Sequence, residues 1–317
     1  MKCVFGICIA LFCIRTVMAN DLILIDGSST VYPITSQVAQ DFYRSESGKT
    51  KVLVGISGTG GGFKKFCQGE LDMSNASRAI SFKEKALCQK NGIEYFELPI
   101  ALDAITIVVN KDNDWASTLS VEQLKRVWQD DSEGKVTNWR QIDRDFPPRP
   151  LTLYGPGTDS GTYDYFIDAI VNTQRSRLDY YASEDDEVLA QKVAQDSNAM
   201  AFFGLSYYLE HKDTLKAVAI SYDGNEPVIP SLKTLKQGEY QPLSRPLYIY
   251  VNKQSVDDFA FVDRFVHYFF HPKRLIHSIK EAGYVPLSEY EYQNILRHYS
   301  LGEPLSFGDD GRSSFSP

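Results

Sequence analysis

The chain has 317 residues and a formal net charge of −8, from 33 Lys and Arg against 41 Asp and Glu. This negative balance argues against nucleic acid or an anionic membrane surface as a partner. The length exceeds what one hydrophobic core comfortably fills, so we expect two domains.

The first nineteen residues have the pattern of a secretory signal peptide. Met1-Lys2 gives a positive start, residues 3–14 are almost wholly apolar, and residues 17–19 form the exit, which predicts cleavage after Ala19. The apolar stretch is too short for a transmembrane helix. Cleavage removes one lysine and one arginine, so the exported chain keeps about 298 residues (317 minus 19) and a net charge of −10.

Three segments place glycines and hydroxyl residues between a strand pattern and a helical pattern. They are Gly27-Ser28-Ser29-Thr30, Ser57-Gly58-Thr59-Gly60-Gly61-Gly62 and Thr158-Asp159-Ser160-Gly161-Thr162. A helix N-terminus leaves backbone N–H groups unpaired and carries partial positive charge, so it attracts anions. Glycines let the backbone close around a small ligand, and hydroxyls add donors. One such segment is an ordinary helix cap, but three predict helix ends that converge on one small oxyanion.

The rest of the chain alternates strand and helix, which is typical of α/β domains with largely parallel sheets. Two capping boxes mark helix starts: Ser81 with Glu84, and Ser120 with Gln123. The first of these helices is expected to end at Asn91-Gly92. Residues 199–204 predict a buried strand, and the apolar stripe within residues 259–269 predicts an amphipathic helix.

Two strand patterns, at residues 105–111 and 247–253, end in the same Val-Asn-Lys sequence. Coincidence is one explanation. The other is that both are crossover strands between two lobes, with the second lobe inserted into the first. This hypothesis predicts a first lobe from residues 20–102 and 245–305, an inserted lobe from residues 103–244, and a disordered Gly/Ser/Asp-rich tail at residues 306–317.

Cys67 and Cys88 are the two cysteines that remain after signal cleavage. An even pair in an oxidising compartment predicts a disulfide, and the alternative is two buried free thiols. Two cysteines make no metal site by themselves, and the five histidines show no ligand spacing. We therefore expect neither a metal nor a cofactor.

The glycine-hydroxyl segments resemble the motifs of periplasmic phosphate-binding proteins, the PstS family of ABC uptake systems. The resemblance is carried by residues 26–33, 55–63, 72–78, 137–139, 157–162 and 242–248. It implies a two-lobed α/β type II periplasmic-binding-protein fold, with a hinge of two crossover strands, that closes on one inorganic phosphate. It also implies a periplasmic monomer that delivers its ligand to the membrane permease of a phosphate ABC transporter.

The resemblance also implies a set of phosphate ligands in this chain. They are Ser29, Thr30, Val31, Ser57, Thr59, Gly60, Arg78, Asp159, Ser160, Gly161 and Thr162. The chain departs from the family where an arginine and an aspartate precede the Ser-Gly-Thr motif, because Pro156 and Thr158 stand there. We take Arg78 as the substitute arginine, the alternative being a surface ion pair.

The proton acceptor for the phosphate has several candidates. Asp159 is the first, although it could simply cap the helix that follows. Asp103 and Asp72 are further candidates.

Enzyme interpretations are weak. Thr158-Asp159-Ser160-Gly161 is similar to the surroundings of a protease serine, but no histidine stands in a context that suggests pairing with Ser160. Residues 58–64 fit neither common nucleotide-loop pattern. The acidic run at residues 184–187 is explained as the first turn of a helix capped by Ser183. We expect no enzyme; the alternative is a secreted phosphate-scavenging, signalling or surface-interaction protein on the same scaffold, including one with phosphatase activity.

Overall fold

The computed structural model describes residues 21–158, 160–172, 175–183 and 185–303. The predicted signal peptide, the predicted tail and Asp159 lie outside the described residues. Within those ranges, every helix is too short or too polar to cross a membrane.

The described residues form short strands and helices in alternation. The strands are β1 (Asp21–Gly27), β2 (Thr50–Val54), β3 (Met73–Ala76), β4 (Tyr95–Asn110), β5 (Thr118–Ser120), β6 (Thr152–Gly155), β7 (Tyr181–Ala182), β8 (Ala199–Gly204), β9 (Leu215–Ala217), β10 (Ala219–Ser221), β11 (Ser244–Asn252) and β12 (Val285–Pro286). The α-helices are α1 (Tyr32–Ser45), α2 (Gly58–Phe66), α3 (Phe82–Lys90), α4 (Val121–Trp128), α5 (Gly161–Phe166), α6 (Asp186–Gln195), α7 (Leu205–His211), α8 (Leu232–Lys236), α9 (Lys253–Asp258), α10 (Ala260–Phe269), α11 (Pro272–Glu281) and α12 (Glu289–Leu301). A π-helical segment, Ile167–Val171, continues α5.

One sheet runs through the whole molecule in the order β2-β1-β3-β11-β4-β8-β6-β7. The outer pairs β1–β2, β1–β3, β6–β8 and β6–β7 are parallel. The central pairs β3–β11, β4–β11 and β4–β8 are antiparallel. The sheet is therefore mixed rather than largely parallel, because the two crossover strands run in opposite directions through its centre.

Strands β4 and β11 connect two lobes. We call the part that contains β1, β2 and β3 lobe 1, and the part that contains β6, β7 and β8 lobe 2. The first half of β4 pairs with β11, whereas its second half, from Ile105 to Val109, pairs with β8. The apolar cores separate in the same way. One cluster draws on residues 23–101 and 247–299, and the other on residues 104–243 together with Val285.

Most of the predicted helix starts are confirmed. Both capping boxes form, at Ser81 with Glu84 and at Ser120 with Gln123. In α6 the prediction of a Ser183 cap is wrong, since Asp185 is the N-cap and its carboxylate accepts the Glu187 N–H at 3.0 Å. A carboxylate is both a good cap and a good match for the positive helix end, so it takes this role two residues after the serine.

The predicted disulfide between Cys67 and Cys88 is confirmed. It joins the end of α2 to the last turns of α3, and both cysteines are buried. The bridge holds these two helices together, at the opposite end of α2 from the second glycine-hydroxyl segment.

Candidate functional site

The first glycine-hydroxyl segment is a tight loop between β1 and α1. Gly27 has φ +136°, and a Cβ there would lie 2.2 Å from the carbonyl oxygen of Asn75, so only glycine fits. The Ser28 N–H donates to that same carbonyl at 3.0 Å, which fixes the loop on β3. Thr30 and Val31 follow, both buried, and Val31 stands at the N-cap position without a side-chain cap bond. In the first turn of α1, however, the Tyr32 N–H already donates to the Ser28 carbonyl at 3.1 Å and Pro33 has no N–H, so few backbone donors of this turn are left for a ligand.

An ionised carboxylate lies beneath the first two segments. Asp26, at the end of β1, accepts hydrogen bonds from the Lys65 ammonium and, at 2.7 Å, from the Gly27 N–H. Burial raises the pKa of Asp26, but the hydrogen bonds from Lys65, Ser57 and Gly27 outweigh it and hold that pKa below its usual value. The carboxylate thereby ties α2 to the first loop.

The second segment packs against the loop that follows β3. Ser57 is the N-cap of α2. The Thr59 hydroxyl lies 3.0 Å from the Ser77 hydroxyl and accepts the Ser77 N–H at 3.2 Å. A side chain at Gly60 would lie 3.8 Å from a terminal nitrogen of Arg78. The predicted ligands Ser57, Thr59, Gly60 and Arg78 are therefore neighbours in space.

Arg78 is paired with a carboxylate of its own lobe. Its two terminal nitrogens each donate to one Glu84 oxygen at 2.8 Å, and one of them also donates to the Ala79 carbonyl at 3.1 Å. A guanidinium has five N–H donors, so two remain for another partner. The hydrogen bonds to Glu84 raise the pKa of Arg78, and the Asp168 carboxylate of lobe 2 adds a small effect in the same direction.

The third segment begins α5 in lobe 2. Ser160 is the N-cap, and its hydroxyl accepts the Thr162 N–H at 3.2 Å. A Cβ at Gly161 would lie 3.0 Å from the Thr30 hydroxyl oxygen. The start of α5 and the first loop of lobe 1 therefore meet directly across the cleft.

Beside this meeting point lies an ion pair that the sequence did not predict, although Arg245 belongs to the 242–248 motif and Asp103 was a candidate proton acceptor. Arg245 of β11 donates from Nε to the Asp103 carboxylate of β4 at 3.0 Å and from Nη2 to the Thr30 hydroxyl at 3.2 Å. Its guanidinium carbon lies 3.7 Å from the centre of the Tyr165 ring of α5. Burial raises the pKa of Asp103, although Arg245 opposes that rise. A signal was available, since Arg245 is the one charged residue of β11 and Asp103 stands in an otherwise apolar stretch of β4.

Charged groups of both signs lie near the meeting point of the two lobes. Burial raises the pKa of Asp164, in α5, and Arg245 again lowers it in part. The two arginines, Arg78 and Arg245, are both engaged by carboxylates. Attraction of an anion therefore depends on short-range donors, namely hydroxyls and helix N-termini, rather than on a net positive field. Such a site suits a small, strongly hydrogen-bonding oxyanion.

Comparisons with known proteins place this geometry in a family. A family model described as the PBP superfamily domain matches residues 16–273. Protein SphX of Synechocystis sp. is 47% identical over 282 residues, which cover 89% of this chain and 83% of SphX. The phosphate-binding protein PstS of Staphylococcus saprophyticus is 37% identical over 267 residues, which cover 84% of this chain and 81% of that protein. The chain belongs to the PstS family of the PBP superfamily.

A solved structure supports the same membership for this PstS-family chain. The crystal structure of a possible phosphate binding protein from Planctomyces limnophilus aligns with a TM-score of 0.83 at 37% identity, covering 89% of this chain and 98% of the other. The predicted type II periplasmic-binding-protein fold, with two crossover strands as its hinge, is thereby confirmed.

In this PstS-family chain, predicted ligands from two of the three glycine-hydroxyl segments meet across the cleft. Thr30 of lobe 1 lies against Gly161 of lobe 2, whereas Val31 is buried in the apolar core of lobe 1. Asp72, a candidate proton acceptor, instead accepts the Leu24 N–H of β1 at 2.8 Å. Among the described residues there is no group of three or more His, Cys, Asp and Glu side chains arranged to hold a metal ion.

Proposed function

We propose that this protein is an exported solute-binding protein that holds inorganic phosphate between its two lobes and delivers it to the membrane permease of an ABC transporter. The observation that carries the proposal is the meeting of the Thr30 loop and the start of α5 at one point of the cleft. The PstS relative from Staphylococcus saprophyticus is itself named a phosphate-binding protein.

The proposed ligand donors come from both lobes. Lobe 1 contributes Ser29, Thr30, Val31, Ser57, Thr59, Gly60 and Arg78, and lobe 2 contributes Asp159, Ser160, Gly161 and Thr162. A small anion that accepts hydrogen bonds from both sets stabilises the closed cleft, because opening would break one set. Asp159 is proposed as the acceptor for a phosphate proton, which would disfavour a fully deprotonated oxyanion such as sulfate.

We further propose that the protein binds its ligand without catalysing a reaction. The Ser160 hydroxyl caps its own helix and accepts the Thr162 N–H, instead of being held by a general base. We also propose periplasmic export through the signal peptide, a monomeric state, and lobe boundaries at residues 102/103 and 244/245. The membership of the two apolar clusters supports those boundaries.

The test is calorimetric titration of the purified protein, stripped of ligand by unfolding and refolding, with phosphate, arsenate and sulfate. We expect saturable 1:1 binding of phosphate and arsenate, and much weaker binding of sulfate. Equal binding of sulfate would contradict the proton-acceptor role, and no binding of any of the three would contradict the function. Steady release of phosphate from a phosphomonoester by the same preparation would favour the phosphatase alternative.

A further inference from the structure

Arg245 and Asp103 lie at the centre of the hinge. They are direct partners in the register between β11 and β4, the two strands that connect the lobes. Asp103 is buried, and its carboxylate accepts the Arg245 Nε–H at 3.0 Å. A buried carboxylate left without such a partner is strongly unfavourable, so this contact fixes the arginine at the base of the cleft.

From this anchored position, Arg245 contacts both lobes. Its Nη2 donates to the Thr30 hydroxyl of lobe 1 at 3.2 Å, and its guanidinium stacks on the Tyr165 ring of lobe 2 at 3.7 Å. The Tyr165 ring is held in turn, because its hydroxyl donates to the Pro242 carbonyl at 2.8 Å. A planar guanidinium can donate two hydrogen bonds in its plane while its face stacks on an aromatic ring. A lysine ammonium cannot do both.

The contact with Thr30 sets the direction of its hydroxyl proton. A threonine hydroxyl has one proton to donate and two lone pairs that accept. Since one lone pair receives the Arg245 N–H, the proton points to another acceptor. A hydroxyl that accepts from a cation is also polarised and becomes a stronger donor. Its oxygen lies 3.0 Å from the position of a Cβ on Gly161, which is where the two lobes meet.

We propose that Arg245 is a positioning residue of the oxyanion site. It holds the Thr30 hydroxyl as a donor toward the ligand, in the arrangement in which both lobes contact the Arg245 side chain. This inference rests on the proposed function, since the ligand it serves is the phosphate. Asp103 orients the guanidinium, and Tyr165 supplies its lobe 2 surface. Arg245 therefore couples ligand recognition to the arrangement of the two lobes.

The experiment is a double-mutant cycle between Arg245 and Thr30, with phosphate titrated calorimetrically. Arg245→Gln and Thr30→Val are each expected to weaken phosphate binding about tenfold to 150-fold, the range for a hydrogen bond that involves a charged group. If Arg245 acts through Thr30, the double variant should bind phosphate about as weakly as the weaker-binding single variant. Independent effects would instead multiply the two losses in affinity. Arg245→Lys retains the charge but not the planar fork, so it recovers part of the affinity.

A matched control separates this role from a merely structural one. Arg177 is also a buried arginine paired with a carboxylate, Asp179, but it lies within lobe 2 and donates to the carbonyls of Val127 and Val136. Arg177→Gln is expected to lower the melting temperature and leave phosphate affinity within a factor of about two, as expected for a site outside the cleft. Melting curves of all the variants identify the folded ones.

The outcomes discriminate clearly. Phosphate binding by Arg245→Gln equal to that of the parent, or losses that multiply in the double variant, would overturn the inference and leave the proposed function intact. A parent protein that binds no phosphate would overturn the proposed function and this inference together. A phosphate affinity of the double variant that nearly equals that of the weaker-binding single variant supports the coupling.

Discussion

Replacing Gly161 by alanine separates ligand binding from stability. Gly161 is the first residue of α5, and its backbone angles are helical, so alanine fits there without backbone strain. The added methyl group would lie 3.0 Å from the Thr30 hydroxyl oxygen and 3.5 Å from the Thr30 Cα. The first distance is shorter than a normal contact, whereas the second is ordinary van der Waals contact. The Thr30 hydroxyl must therefore turn away, or the two lobes must stay a few tenths of an ångström further apart.

The two expected effects have opposite signs. A Gly→Ala change at a helical position stabilises by roughly 0.4–1 kcal/mol, because the unfolded chain loses conformational freedom. A displaced Thr30 hydroxyl or a wider cleft weakens the hydrogen bonds that one lobe makes to a shared ligand. Loss of one hydrogen bond to a charged group costs about 1.5–3 kcal/mol, which corresponds to phosphate binding about tenfold to 150-fold weaker. Gly161→Ala should thus melt no lower than the parent and bind phosphate much more weakly.

The assay pairs thermal melting of the ligand-free protein with calorimetric titration of phosphate. The matched control is the same change in a Thr30→Ala background, which removes the nearest atom and leaves the Cα at 3.5 Å as the closest one. In that background the extra loss caused by Gly161→Ala should be small. Parent-like affinity in the single variant, or an equal loss in both backgrounds, would refute the steric explanation.

Three further predictions follow from the ion pairs and the disulfide. Glu84→Gln keeps the capping-box pattern but frees Arg78, so phosphate affinity by calorimetry should rise severalfold, and adding Arg78→Gln should abolish that gain. An unchanged affinity in Glu84→Gln would show that Arg78 is no ligand. Reducing the Cys67–Cys88 bridge, whose sequence separation is 21, should lower the free energy of unfolding by about 3 kcal/mol in urea titrations; no difference between reduced and oxidised protein would contradict this. A hydrogen bond from Arg177 lowers the pKa of Asp179 in the folded protein. The contribution of Asp179 to stability is therefore present above its pKa in the unfolded chain and is lost as the pH falls through its pKa in the folded protein. The difference in melting temperature between the parent and Asp179→Asn should therefore be wide at pH 7 and should narrow as the pH falls below about 4. A difference that stays constant with pH would refute this prediction.

Local elements could be predicted from the sequence because their causes are local. The capping boxes at Ser81 and Ser120 form as expected, since each needs only residues three positions apart. The exception is α6, where two acceptors compete for the same helix end and the carboxylate of Asp185 displaces the predicted Ser183. The disulfide also followed from counting, because only one pairing of two cysteines exists.

The partner of each charged residue was harder to predict. Glu84 was assigned to its capping box, and in the structure the same carboxylate also accepts both terminal nitrogens of Arg78. A carboxylate can accept several hydrogen bonds at once, so one role found in the sequence does not exclude another. Sequence spacing shows that Arg78 and Glu84 are close, but not which way the guanidinium turns.

The sequence by itself determined the chemistry of the site: glycines, hydroxyls and helix starts that suit an oxyanion. Only the tertiary structure decided which of these groups meet. Thr30 and Arg245 are 215 residues apart, and Asp103 and Arg245 are 142 apart. The register of β4 with β11 pairs Asp103 with Arg245, and the packing of the β1–α1 loop brings Thr30 to the same arginine. Helix caps and strand patterns depend on near neighbours, whereas strand register and lobe closure depend on the packing of the whole chain.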